Sequence, residues 1–194
     1  MKHQSRSCTF LTCCIASGVA QADVVKYTNK AEWQSLVGTY STITFTEFVF
    51  PAIITDQYSF LGVTFTDGND ALDQSTSLIN DGVGLYGNFP GNAISIAFAA
   101  PITSFAIDHP GHEAFTLFSK GEQIFDTGLM GGVGTGKFSG VISNEPFDAV
   151  VIKDPGIGVT LIDDMHFGPP IPAPGAICVL AIALLSAPGR RRRL

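Results

Sequence analysis

Ile94-Ser95-Ile96-Ala97-Phe98, then Ala100-Pro101-Ile102, then Ser104-Phe105-Ala106-Ile107 is the stretch from which the fold is read. In its first and last pieces, large apolar residues alternate with small or polar ones. That period of two belongs to a strand with one buried face, whereas a helix would repeat every 3.6 residues. The proline between them reads as a tight hairpin connection, so the stretch predicts a strand pair. The same pattern recurs at Val24 to Tyr27, Thr42 to Phe45, Gly62 to Thr66, Phe115 to Phe118, Gln123 to Phe125, Phe138 to Val141, Phe147 to Ile152 and Val159 to Phe167. Strands at intervals of roughly 8–12 residues, separated by Gly, Pro, Asn and Asp, predict an all-β fold, a β-sandwich or jelly roll. Lys120-Gly121-Glu122-Gln123 reads as a second hairpin turn. One short helix is expected from Lys30 to Val37, capped by Thr28 or Asn29 and ended by Gly38, with Trp33 on its apolar side.

Outside this body the two ends read as addresses. Lys2 and Arg6 precede a largely apolar run from Cys8 to Val19, and Ala20-Gln21-Ala22 has the small-residue spacing of a cleavage site. Residues 1–22 are therefore expected to be a secretory signal peptide, with the mature chain starting at Asp23. At the other end, residues 169–175 form a proline-rich linker containing Pro172-Ala173-Pro174, and residues 176–194 combine an apolar run with Arg190, Arg191, Arg192 and Arg193. The twelve residues from Ala176 to Ala187 would rise roughly 18 Å as a helix. That is short of a hydrocarbon core of about 30 Å. The arginines extend its reach, because their stems snorkel to the interface and hold the chain end on the cytoplasmic side.

This tail resembles the PEP-CTERM sorting segment of exported Gram-negative bacterial proteins, with alanine where that motif has glutamate. The resemblance implies an inner-membrane-anchored intermediate, processing by an exosortase-type enzyme, and a final place at the cell surface or outside it.

Between the ends, residues 23–168 carry all seventeen carboxylates but only five lysines and no arginine, a net charge of −12. A field of that sign repels phosphate backbones, which excludes nucleic acid as a partner. All four cysteines lie outside this body, which rules out a catalytic thiol, a disulfide framework or a thiolate-bound zinc within it. With 146 residues and fourteen phenylalanines, it is long enough for one ordinary core.

The entry helix with Trp33, the runs Ile54 to Tyr58 and Gly62 to Phe65, the strand pair from Ile94 to Ile107, and the closing Leu161-Ile162-Asp163-Asp164-Met165-His166-Phe167-Gly168 are together similar to bodies joined to PEP-CTERM tails. Those resemble galactose-binding-type jelly rolls. In such folds a structural calcium ties an early acidic loop to the closing strand, which implies a Ca2+ site pairing Glu47 with Asp163 or Asp164. Asp67, in Asp67-Gly68-Asn69-Asp70-Ala71-Leu72-Asp73, is another candidate oxygen ligand on a loop, although the spacing is not that of an EF-hand.

Two further motifs weaken on inspection. Gly131-Gly132-Val133-Gly134-Thr135-Gly136-Lys137 has the glycine and lysine spacing of a P-loop, but Phe138 stands where magnesium needs a hydroxyl, so it reads as a glycine loop between strands. Asp108-His109-Pro110-Gly111-His112-Glu113 gathers four potential ligands, yet Pro110-Gly111 forbids the helix of a zinc-protease motif. It reads as a loop metal site or a polar turn. No G-x-S-x-G elbow occurs.

The expected function is that of a non-enzymatic surface or extracellular-matrix protein binding polysaccharide. The alternatives are a secreted glycan-active hydrolase using carboxylates and a purely structural surface protein. Intact-mass analysis of the exported protein is expected to show Asp23 as its first residue. Glutamates at 190–193 are expected to reduce membrane retention, which fractionation would reveal.

Overall fold

The computed structural model describes residues 22–47, 52–66, 71–73, 84–87, 93–132, 134–154 and 160–169. The cleavage-site residue Ala20, the loop residue Asp67, the motif Pro172-Ala173-Pro174 and Arg190 to Arg193 lie outside the described residues. Among the described residues no helix is long and apolar enough to cross a membrane.

The protein is mostly β, with one α-helix. In chain order the elements are β1 (Val24–Tyr27), α1 (Lys30–Val37), β2 (Ser41–Ile43), β3 (Val63–Phe65), β4 (Ala71–Asp73), β5 (Gly84–Tyr86), β6 (Ala93–His109), β7 (Glu113–Ser119), β8 (Glu122–Met130), β9 (Lys137–Lys153), β10 (Leu161–Ile162) and β11 (Met165–Gly168). Every pairing among them is antiparallel.

The expected strand pair around Pro101 is a single strand of 17 residues, β6, and β9 is likewise one strand of 17 where two were expected. A hairpin at Ala100-Pro101-Ile102 is therefore corrected to a bend within one strand. The β6–β9 ladder slips register twice between Ala97 and Ser104 and then resumes. Bulges of this kind let a strand turn a corner without ending. Ala99, Ala100 and Pro101 are exposed at that corner, where a residue without an N–H does least harm to the ladder.

The corner divides the ladder into two halves. The C-terminal part of β6 pairs with β11, and β11 with β2, while the N-terminal part of β9 pairs with β1. The N-terminal part of β6 pairs with β3, and the C-terminal part of β9 with β7, which is followed by β8. One core cluster takes Phe105, Ile107 and Val141 from the first half and Ile94, Ile96, Val150 and Ile152 from the second. Two halves of one ladder closing on a shared core is the manner of a β-sandwich. A small sheet, β10-β5-β4, adds Leu85 and Ile162 to that core.

Burial explains why the two halves of β6 read differently. Residues 93–98 alternate between partly buried and buried, as one covered face requires. Residues 102–109 are all buried, because α1 covers the second face there. The helix has the bounds expected from sequence. Asn29 caps it, its Oδ1 accepting the Glu32 amide at 3.2 Å, and it ends at Gly38. Trp33, fully buried, donates its indole N–H to the Val141 carbonyl at 3.1 Å and packs with Val37, Ala106 and Phe138. Gly140 makes this possible, since a Cβ there would stand 2.8 Å from the indole. The β7–β8 turn at Lys120-Gly121 has φ of 53° and 82°, the two successive positive values of a type I′ hairpin.

Phe105 is fully buried and meets Phe115 edge-to-face at 5.3 Å. Phe105→Ala is expected to lower unfolding free energy by about 3–5 kcal/mol, the range for truncating a buried aromatic. Ala99→Ser, at the exposed corner, should stay within about 0.5 kcal/mol. Urea denaturation of both variants checks the assignment.

Candidate functional site

The closing strand and the end of β6 bring two polar sequence runs together. Asp108 donates its amide to the Asp164 carbonyl at 2.9 Å, and Asp163 donates to the Asp108 carbonyl at 2.8 Å. His166 lies directly across from Ala106, and Phe138 across from Asp108. Side chains of a strand alternate, so Ala106, Asp108, His166 and Phe138 share the face that α1 covers.

On that face, His166 is buried among Trp33, Tyr40 and Phe138, with ring centroids 6.2, 5.8 and 6.4 Å away. Its Nε2 is 3.1 Å from Asp108 Oδ2 and its Nδ1 is 2.9 Å from Thr42 Oγ1. Lys30, from the first turn of α1, forms an ion pair with Asp108 and lies 3.8 Å from Asp164. Burial pushes the Asp108 carboxyl up. Hydrogen bonds from His166 and Lys30, reinforced by their charges, outweigh that and leave its pKa below the ordinary carboxylate value. An anionic Asp108 accepts the Nε2 proton, and Thr42 then faces Nδ1, completing a chain from hydroxyl to imidazole to carboxylate to ammonium.

Ligand atoms of Asp108, Asp164 and His166 lie within 4.8 Å of one another, the only such trio among the described residues. As a calcium site the set fits poorly. One donor is a nitrogen, whereas calcium takes oxygen, and Lys30 already stands where the cation would be. Of the expected calcium ligands, Asp164 belongs to that trio. Glu47 is exposed, and its carboxylate sits against the Tyr58 hydroxyl. Burial first and then this neighbour raise the Tyr58 pKa. Asp163 is buried and Asp164 half-buried, both in the connection between β10 and β11 rather than on a strand, so strand alternation does not decide which of them points inward. Ala22 is buried just before β1.

Beside this network opens a cleft of about 630 Å³. One wall is the start of α1 with Asn29 and Lys30, the opposite wall is the glycine loop with Gly131, Gly132 and Gly136, and Lys137, Asp108 and Phe138 close it. The loop that mimics a P-loop in sequence thus presents backbone to a polar opening. Sequence reasoning missed Lys30, Thr42 and His166 as site residues. The signal available was the histidine two residues after Asp164, at the right parity to share its strand face with Asp108.

On the other face of the same sheet end lies a second ionisable group of residues. His109 Nε2 is 2.8 Å from Ser139 Oγ, and burial is the main reason its pKa falls to about 4. Glu113, fully buried, has its carboxyl pushed up to about 8 by burial and by the nearby Asp154 charge, against a smaller opposing effect of the Leu161 amide.

No family model matches this chain, and neither a curated protein nor a solved structure matches it significantly.

The two shifts have opposite signs. Between 4.5 and about 8 the folded protein holds a Glu113 proton that the unfolded chain has released, so stability falls as pH rises through that window. His109 contributes stability that is present above 6.5 and lost as pH falls towards about 4. In metal-free buffer the urea midpoint is therefore expected to decline from pH 6.5 to 8. Glu113→Gln should flatten that decline, and equal slopes in the two proteins would contradict the assignment.

Proposed function

We propose that the protein is a non-enzymatic binding module of the cell surface or extracellular matrix, exported and held at the inner membrane until an exosortase-type enzyme processes the Pro172-Ala173-Pro174 tail. Its body is read as a jelly roll of the galactose-binding type, and its partner as extracellular polysaccharide. The observation that carries the binding role is the polar cleft. Asn29, Lys30 and Lys137 supply donors, Asp108 an acceptor, and the glycine loop adds close-lying backbone groups. Sugar hydroxyls each donate and accept, so such a mixed, open lining suits them better than it suits an apolar ligand. The ends of the chain support the address, and the body charge of −12 argues for a neutral or basic partner over a nucleic acid.

The hydrolase reading is less well supported by the carboxylates themselves. A glycosidase needs its acid to touch the glycosidic oxygen. Glu113, whose raised pKa would suit a general acid, is 0% exposed, and Asp154 beside it is 5% exposed.

Affinity electrophoresis of the full chain through gels containing soluble polysaccharides is expected to show retardation without release of reducing ends. Lys137→Ala, at an exposed position on the cleft wall, should weaken that retardation about tenfold, the effect of one polar contact of about 1.4 kcal/mol. Sugar release, or retardation unchanged by Lys137→Ala and Asn29→Ala together, would overturn the proposal.

A further inference from the structure

The two ionisable clusters at this end of the sheet differ in one respect. Asp108 and Asp164 share the ammonium of Lys30. Glu113 is not neutralised by anything among the described residues. It is 0% exposed, and among the described residues no side chain donates a hydrogen bond to its carboxylate, which has only the Leu161 amide nearby as a weak donor. A buried carboxylate with no cation beside it is stable only if it takes up a proton or a cation.

The surroundings favour a cation. Glu113 opens β7, and Asp154, 5% exposed, follows the end of β9. Both turn a carboxylate oxygen towards Gly111. A Cβ on Gly111 would stand 3.1 Å from Asp154 Oδ2 and 3.4 Å from Glu113 Oε1, so the missing side chain leaves open the space that the two oxygens face. His109 is 1% exposed, but among the described residues no histidine nitrogen converges with these two carboxylates as His166 does with Asp108 and Asp164. The donor set is therefore oxygen, open to completion by backbone carbonyls and water. That chemistry selects a hard, flexible-coordination cation such as calcium over zinc.

We infer that Glu113 and Asp154 form a calcium site beside Gly111, tying the β6–β7 turn to the end of β9. The ion sits apart from the Lys30–Asp108–His166 network and does not depend on the polysaccharide reading. Proton and ion compete for the same carboxylate, so apparent affinity increases with pH by up to about tenfold per unit until Glu113 is ionised on its own.

Isothermal titration of the metal-stripped full chain with calcium chloride at pH 6.5, 7.2 and 8.0, alongside thermal melts in calcium, magnesium and chelator, tests the site. The expected result is one ion per chain, with a dissociation constant on the order of 10⁻⁴–10⁻³ M at pH 8, as in extracellular modules. It should tighten from pH 6.5 to 8.0, with a melting midpoint raised by calcium and far less by magnesium. Glu113→Gln, which removes the charge and keeps the shape, should abolish binding and melt at least as high in chelator as the wild type. Asp164→Asn should bind as the wild type does. Absence of binding in the wild type at pH 8 would overturn the inference. So would binding that survives Glu113→Gln or that disappears only in Asp164→Asn.

Discussion

The slip in register between β6 and β9 is the constraint on which the rest of the molecule depends. Two strands of 17 residues, hydrogen-bonded throughout in one register, would make a ribbon with nothing to enclose. Interrupting the ladder between Ala97 and Ser104 and resuming it afterwards lets the same two strands serve both halves of the fold. Phe105, Ile107 and Val141 then face Ile94, Ile96, Val150 and Ile152 across one core. The helix, the closing strand and the polar end of the sheet all take their positions from that bend.

Charge is distributed around this frame in two ways. On the helix side, a buried aspartate is held by a lysine, an imidazole and, beyond it, a threonine hydroxyl. Breaking such a set by removing one member costs about 3–5 kcal/mol, although the intact set contributes little net stability over an apolar replacement. Its value lies in fixing where α1 begins relative to β6 and β11, because only one placement lets Lys30 reach Asp108 and Asp164. On the core side, no cation stands beside Glu113 among the described residues. One sheet end therefore combines a cluster paired to a lysine with one that responds to its surroundings.

Much of the fold was legible because it rests on local signals. The helix from Lys30 to Val37 followed from its cap, its apolar spacing and Gly38, and the β7–β8 hairpin from Lys120-Gly121. The strand alternation was legible wherever one face meets solvent, as in residues 93–98. It failed at Pro101, because a proline marks both a turn and a strand corner, and only the long-range ladder distinguishes them. The site was legible in pieces. Asp108, Asp163 and Asp164 stood out as acidic runs, but their relation is a matter of register between residues more than fifty positions apart. Lys30 carried no local signal at all, since its role arises from the packing of α1 against the sheet.

The burial of Trp33 gives the molecule a built-in optical probe. It is the one tryptophan in the chain, with its ring centroid 6.2 Å from that of His166. The indole N–H bonded to Val141 fixes the emission colour to the β9 backbone, so a red shift registers the helix lifting from the sheet. The seating of α1 on the sheet can thus be followed in the unlabelled protein.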